Sequence, residues 1–458
     1  MASAAEQLAA NMNMGSFAKA TELHKRLLFT LGALLVYRIG TYVPIPGINS
    51  QAFLQFFQNP DQSRGILDMF NMFSGGAVER MAIFALNVMP YISASIIVQL
   101  LASMVPSLEQ LKKEGEQGRK KINQYTRYGT VLLALFQAYG LAVSLEAGGM
   151  AHEPGWFFRA AVVITLVGGT MFLMWLGEQI TARGIGNGIS LIIYVGILAE
   201  IPGHLAQFFA QGRSGAISTP VILGVIVLVV VVMAFVVFME RALRKIRIQY
   251  PRRQVGMKVY DGQSSHLPIK VNPAGVIPAI FASSLLLLPI TISTFSGNQT
   301  GPVMSTILAY FGPGQPLYLL FFAAMIIFFS YFYTQNVAFK SDDVAENLKN
   351  QGGFIPGIRP GKRTEEYLDY VVNRVLVIGS LYLAAVCMLP EVIRHQLSIP
   401  FYFGGTSVLI IVSVTMDTIN QIQSHLLAHQ YEALIERSQL RGKRKPGEAK
   451  PKRLPARR

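Results

Sequence analysis

The sequence predicts an all-α polytopic membrane protein with ten transmembrane helices in two inverted five-helix halves, with one short apolar segment that either re-enters the protein as a half-helix or lies on lipid. Three observations lead there. Of the 458 residues, 52% are hydrophobic and 14% charged, where soluble domains carry about 25% charge. Mean hydropathy is +0.40, and runs long enough to cross a bilayer, about 20 apolar residues each, recur ten times. Basic residues then fall on alternate loops, as the positive-inside rule requires of a multi-pass chain.

In order, residues 1–23 are small and polar, without the apolar centre of a cleavable signal peptide, and predict a cytoplasmic N-terminus. The expected spans are 24–43, 81–105, 127–146, 157–180 and 188–208 in one half (24–208). Those of the other half (217–424) are 217–240, 273–294, 315–336, 371–392 and 402–424. Residues 425–458 form a basic cytoplasmic tail. With the N-terminus inside, 34 of 40 Lys and Arg lie in segments assigned to the cytoplasm, five lie outside, and Arg38 sits within the first span. Much of the net charge of +15 is therefore topology charge, and both termini are expected in the cytoplasm. An odd number of spans per half inverts one half relative to the other, which places a pathway at their interface.

Two loops exceed mere connectors. In 241–272, Ile246, Ile248 and Tyr250 alternate with polar residues, and Val255, Met257 and Val259 alternate again after Pro251. This period of two around a Pro turn predicts a hairpin with a basic tip. In 337–370, a polar helical stretch near Asp343–Asn350 leads into a Gly/Pro-rich protruding turn over 352–361.

Several segments carry chemistry or its absence. Residues 65–76 are apolar, bounded by glycines and too short to span. They suit either a half-helix re-entering a cavity or a loop lying on lipid. The second span carries Asn87, Pro90, Ser93, Ser95 and Gln99, polar groups that must face protein or a wet path, and Pro90 is expected to kink it. Gly184-Ile185-Gly186-Asn187-Gly188 follows a membrane helix rather than a strand, so it predicts a tight turn and no dinucleotide site. No cofactor is expected. His425 and His429 share a helix face without a third ligand, and Cys387 lies in an apolar run as a packed thiol. Carboxylates Glu146, Glu178 and Glu240 fall at span ends, and only Asp417 lies moderately inside. Ion-coupled transport and intramembrane aspartyl proteolysis need buried carboxylates, and no nucleophile–base pair supports another enzyme, so a passive conduit fits better than a transporter or an enzyme.

The runs Asp68–Gly76, Met89–Ile96, Met174–Ile180, Arg183–Ser190, Gly275–Ser284, Pro356–Gly361 and Phe401–Ser407 together resemble the SecY family of protein-conducting channels, over about residues 20–440. The resemblance implies a protein-conducting channel of a bacterial inner membrane, catalysing nothing itself, that passes unfolded secretory chains and releases signal segments sideways into membrane lipid. It implies a constriction ring of Val88, Ile92, Ile189, Ile193, Ile280 and Ile410, an apolar waist of the kind that blocks ions by dewetting. Val88 is one methylene smaller than the isoleucine usual in the family. It implies a plug over 65–76, including Gly65, Asp68, Met69, Phe70, Asn71, Phe73, Gly75 and Gly76. A lateral gate would lie between spans two and three and spans seven and eight, with Ser93, Gln137 and Asn272 as polar gate residues and Leu288 facing them. Arg252, Arg253, Lys258 and Arg359 would dock the ribosome, including its RNA, or the SecA motor; Met257 and Lys258 stand where the family often has two arginines. The other implied partners are SecE-like and SecG-like subunits, signal peptides and nascent chains.

Overall fold

Helices occupy every one of the ten stretches expected to cross the membrane in the computed structural model, which describes residues 21–49, 71, 73–215, 218–251, 253–255, 258–260, 264–295, 315–397 and 405–442. They are Thr21–Gly40, Met89–Met104, Glu116–Ala147, Trp156–Arg183, Gly188–Arg213, Thr219–Arg241, Ile277–Phe295, Pro316–Tyr333, Lys362–Leu397 and Gly405–Gly442, referred to below as the first to tenth spans. Among the described residues, seven are long and apolar enough to cross a membrane alone, and an eighth if the second span is joined to the short helix Pro106–Lys112 across a 103° bend. The first span falls short because Lys25, Arg26 and Arg38 trim its apolar run from both ends.

Apolar faces determine the packing. The sixth span is the least enclosed: Leu223, Val227, Val230, Val231 and Phe238 are exposed, as befits a helix whose neighbour is lipid. Within residues 21–213, the third span packs on the second and fourth, and the first and fifth on the fourth; within residues 219–442, the eighth packs on the seventh and ninth, and the tenth on the sixth and ninth. Contacts between these two groups run from the seventh span to the second and third, and from the tenth to the fifth and first.

Glycine makes the fourth–fifth turn possible. A Cβ on Gly188 would lie 2.0 Å from the Gly177 carbonyl oxygen, so only glycine lets the two helices touch. Asn187 caps the fifth span by accepting from the amides of Ile189 and Ser190, as an N-cap does. The remaining amides of the turn reach further: Ile185 N donates to Thr30 Oγ1 at 3.0 Å and Gly186 N to Gln421 Oε1 at 2.7 Å. One turn thus ties the first, fifth and tenth spans together.

Two expectations are corrected. The second span begins at Met89, not 81; residues 75–88 are turns and a bridge, with Met81 and Asn87 at φ 43° and 48°. Pro90 consequently occupies the first turn of the helix, where its missing N–H is not needed, and it starts the span rather than kinking it. The hairpin register also differs. Strand β1 (Leu243–Gln249) pairs with β4 (Ser264–Lys270), and β2 (Arg253–Val255) with β3 (Lys258–Tyr260) at the tip. Pro251 interrupts the strand, since it has no N–H for the ladder, but the chain reverses beyond it.

The two long loops form one unit. The expected polar helix is Ser341–Asn350, and Gln249 exchanges both backbone hydrogen bonds with Phe354, each 2.9 Å. Ile246, Ile248 and Ile269 of the hairpin pack with Ala345, Leu348, Ile355, Leu368 and Val372. Leu348→Ala removes a buried anchor, at a cost of about 2–4 kcal/mol. It is expected to accelerate tryptic cleavage within 241–272 while the helical circular dichroism signal stays unchanged.

Candidate functional site: an apolar waist and the segment beneath it

The residues expected to form the ring come from four spans and one turn. Ile92 sits one turn into the second span, Ile189 and Ile193 in the first turns of the fifth, Ile280 in the first turn of the seventh, Ile410 in the tenth, and Val88 immediately before the second. All six belong to a single apolar cluster. Val88, Ile92, Ile193 and Ile410 are buried, while Ile189 and Ile280 are partly buried against them. Five of the six lie within about a turn of the start of the second, fifth or seventh span.

Phe73 enters the same cluster. Asn71, Phe73, Gly75 and Gly76 are buried, whereas Gly65, Asp68, Met69 and Phe70 lie outside the described residues. Asn71 folds the segment back on itself: its Oδ1 accepts from Glu79 N at 2.9 Å, and its Nδ2 donates to Glu79 Oε2 at 3.3 Å. Gly75 rests on the fifth span, where an added Cβ would lie 2.9 Å from Gly196 Cα. Beside it, Arg80 pairs with Glu200 at 3.9 Å and stacks over the Tyr42 ring at 4.4 Å, with Arg38 also over that ring at 5.3 Å.

The expected gate residues divide. Ser93 and Gln137 are both buried, where the seventh span packs against the second and third, and Gln137 Oε1 has no partner. Asn272 instead turns to the sixth span, donating to Glu240 Oε1 at 2.8 Å and to the Gly275 carbonyl at 3.0 Å. The side chain of Leu288 lies outside the described residues. A contact not anticipated from sequence crosses nearby: Lys112 Nζ, on the helix after the second span, donates to the Asn336 carbonyl at 2.9 Å. That carbonyl belongs to a π-helical turn, Thr334–Ala338, ending the eighth span, where a cation is favoured by the helix dipole. Burial, with a contribution from Lys340, holds the Lys112 ammonium below the usual lysine range.

Carboxylates stand at the margins with partners. Glu178 takes two hydrogen bonds from Arg127 at 2.7 and 3.1 Å, and Glu146 pairs with Arg159. Asp417 is exposed on the tenth helix, 3.9 Å from Lys270. No metal-binding cluster occurs among the described residues. Of the basic docking candidates, Arg359 is exposed on the Gly/Pro turn, its carbonyl accepting from Thr364 Oγ1 at 2.9 Å. Arg252 and the side chains of Arg253 and Lys258 lie outside the described residues.

Tyr37 and Arg38, both of which touch residues 74–75, were not singled out by sequence reasoning as part of any site. Their only signal was an arginine inside an otherwise apolar span, which is costly unless it has a partner.

The chain resembles known proteins along most of its length. A family model described as SecY matches residues 82–419. Protein translocase subunit SecY of Escherichia coli (strain K12) is 52% identical over 427 residues, which is 92% of this chain and 96% of that protein. A solved structure described as a protein conducting channel superposes with a TM-score of 0.66 at 19% identity, covering 88% of this chain and 92% of the other. Sec61 in the canine ribosome-channel complex from the endoplasmic reticulum gives 0.62 at 18% identity, with 88% and 92% covered. With the family model matched over most of the chain and half the residues shared with a curated relative, the chain belongs to the SecY family.

Proposed function

We propose that this chain is the central channel subunit of a bacterial Sec translocon, passing unfolded secretory polypeptides across the inner membrane and releasing signal and transmembrane segments laterally into lipid. The observation that supports this reading is that six aliphatic side chains from distant parts of the chain belong to one apolar cluster. A narrow aliphatic waist excludes water and ions, yet dispersion contacts are weak individually and non-directional, so the waist yields to a threaded chain and closes again. Val88, Ile92, Ile189, Ile193, Ile280 and Ile410 form that ring, and residues 65–76 are the plug beneath it.

The lateral gate opens between the second and third spans on one side and the seventh and eighth on the other. Ser93 and Gln137 line it, and an apolar signal segment leaves water there for lipid, favoured by about 25 cal/mol per Å² of apolar surface buried. Asn272, held by Glu240, positions the start of the seventh span. The halves are 24–208 and 217–424, both termini are cytoplasmic, and the basic loops 241–272 and 337–370 face the cytoplasm with the basic tail. Arg252, Arg253, Lys258 and Arg359 dock the ribosome and its RNA, whose phosphates attract basic hairpins, or the SecA motor. The joint hydrophobic core of the two loops favours their acting as one docking body. SecE-like and SecG-like subunits complete a heterotrimer. The chain catalyses nothing, and energy comes from its partners.

Three outcomes are expected. Glycine substitutions at Ile92 and Ile193 raise the resting ion conductance of the reconstituted complex in planar bilayers; unchanged conductance removes the ring from its role. Arg359→Glu impairs export of a secretory reporter while the variant itself still inserts into the membrane; normal export overturns that assignment. Deletion of 65–76 makes the channel leak ions, whereas in a solute carrier it would abolish transport without a leak.

A further inference from the structure

We infer that Tyr37, Arg38 and Asn87 form a three-point clasp that holds the plug by its backbone, one side chain on each of three successive carbonyls. The inference rests on reading 65–76 as the plug. The end of a helical segment leaves its last carbonyls without helical donors. Here the segment terminates at Gly75 and Gly76, with φ of 65° and 79°, and Gly76 N donates back to the Asn71 carbonyl at 3.0 Å. That is the six-to-one bond of a Schellman turn, and it covers the carbonyl of Asn71. The carbonyls of Phe73, Ser74 and Gly75 lie beyond its reach. Asn87 Nδ2 donates to Phe73 O, Tyr37 Oη donates to Ser74 O at 3.2 Å, and Arg38 Nη1 donates to Gly75 O at 2.7 Å.

The three donors belong to the body of the channel. Tyr37 and Arg38 are in the last turn of the first span, and Asn87 is in the turn leading into the second. Tyr37 is fully buried and Asn87 nearly so, so departure of the carbonyls without incoming water would strand donors and acceptors alike, which is costly. Arg38 adds a cation against the negative end of the segment. Asn87 holds a left-handed backbone, φ 48°, which asparagine tolerates better than most residues. Its Oδ1 is buried without a partner, so its donor end is the useful one.

Because the clasp grips main chain, it sets the position of the segment without reading its side chains. It demands only that the backbone come close. A Cβ on Gly75 would lie 2.9 Å from Gly196 Cα, and one on Gly76 would lie 2.4 Å from Glu200 Oε1. Tyr37, Arg38 and Asn87 are therefore positioning residues for the seal, acting through the plug and not on the ring.

The test is resting ion conductance of the assembled complex in planar bilayers, for Tyr37→Phe, Arg38→Met and Asn87→Gly, each made both in the full chain and in a chain lacking residues 65–76. Tyr37→Phe removes a single oxygen, and glycine at 87 keeps the backbone conformation. Each is expected to raise conductance of the full chain by roughly two- to tenfold, the population shift from losing one hydrogen bond, and to add nothing where 65–76 are absent. Should the deletion leak while none of the three substitutions does, the clasp is overturned and the plug reading stands. An equal further rise in the deleted background would place the residues' effect elsewhere and also overturn it. A deletion that leaves conductance unchanged overturns the plug reading and the clasp together.

Discussion

The proposed ring is a set of aliphatic side chains from four helices and one turn, all members of one apolar cluster. Contact of this kind is maintained by exclusion of water and by dispersion, both non-directional and roughly proportional to the area in touch. A waist built from directional bonds would have to break specific pairs to admit a chain and find them again afterwards. One built from isoleucines exchanges one set of apolar contacts for another. The proposed ring residues sit close to helix starts: Ile189 and Ile193 follow the fourth–fifth turn, Val88 and Ile92 flank the start of the second helix next to Pro90, and Ile280 lies in the first turn of the seventh span.

Polar interactions are placed around the waist. Glu146, Glu178, Glu240 and Asp417 pair with Arg159, Arg127, Asn272 and Lys270. The ion pairs Glu178–Arg127 and Asp417–Lys270 are partly or largely exposed, where such pairs contribute little to stability. The ties across the two groups of helices are also few and local: Gly186 to Gln421 at one margin and Lys112 to Asn336 at another.

The ten helices were legible because twenty-residue apolar runs and the Lys/Arg asymmetry are properties of local sequence. The six ring residues were not legible from pattern; each reads as ordinary helix packing, and only the family resemblance marked them. Residues 81–88 misled because all but Asn87 are apolar and most are buried, so hydropathy continues smoothly from turn into helix, and only Pro90 hints at the true start. The hairpin register was missed because alternation resumes on both sides of Pro251, and pairing depends on partners 20 residues away. The union of the two basic loops, and the grip of Tyr37, Arg38 and Asn87 on three backbone carbonyls, depend on long-range geometry that no short window contains.

The most direct measurement is site-specific crosslinking of a secretory chain arrested midway through export to single cysteines placed at Ile92 and at Ile280, with Cys387, buried in the native protein, replaced by serine. An aliphatic waist that surrounds the translocating chain predicts adducts at both positions, from opposite sides of the passage, and none from cysteines on the lipid-facing surface of the sixth span, such as position 227. Adducts absent from both 92 and 280 while the arrested chain is demonstrably held in the complex would contradict it.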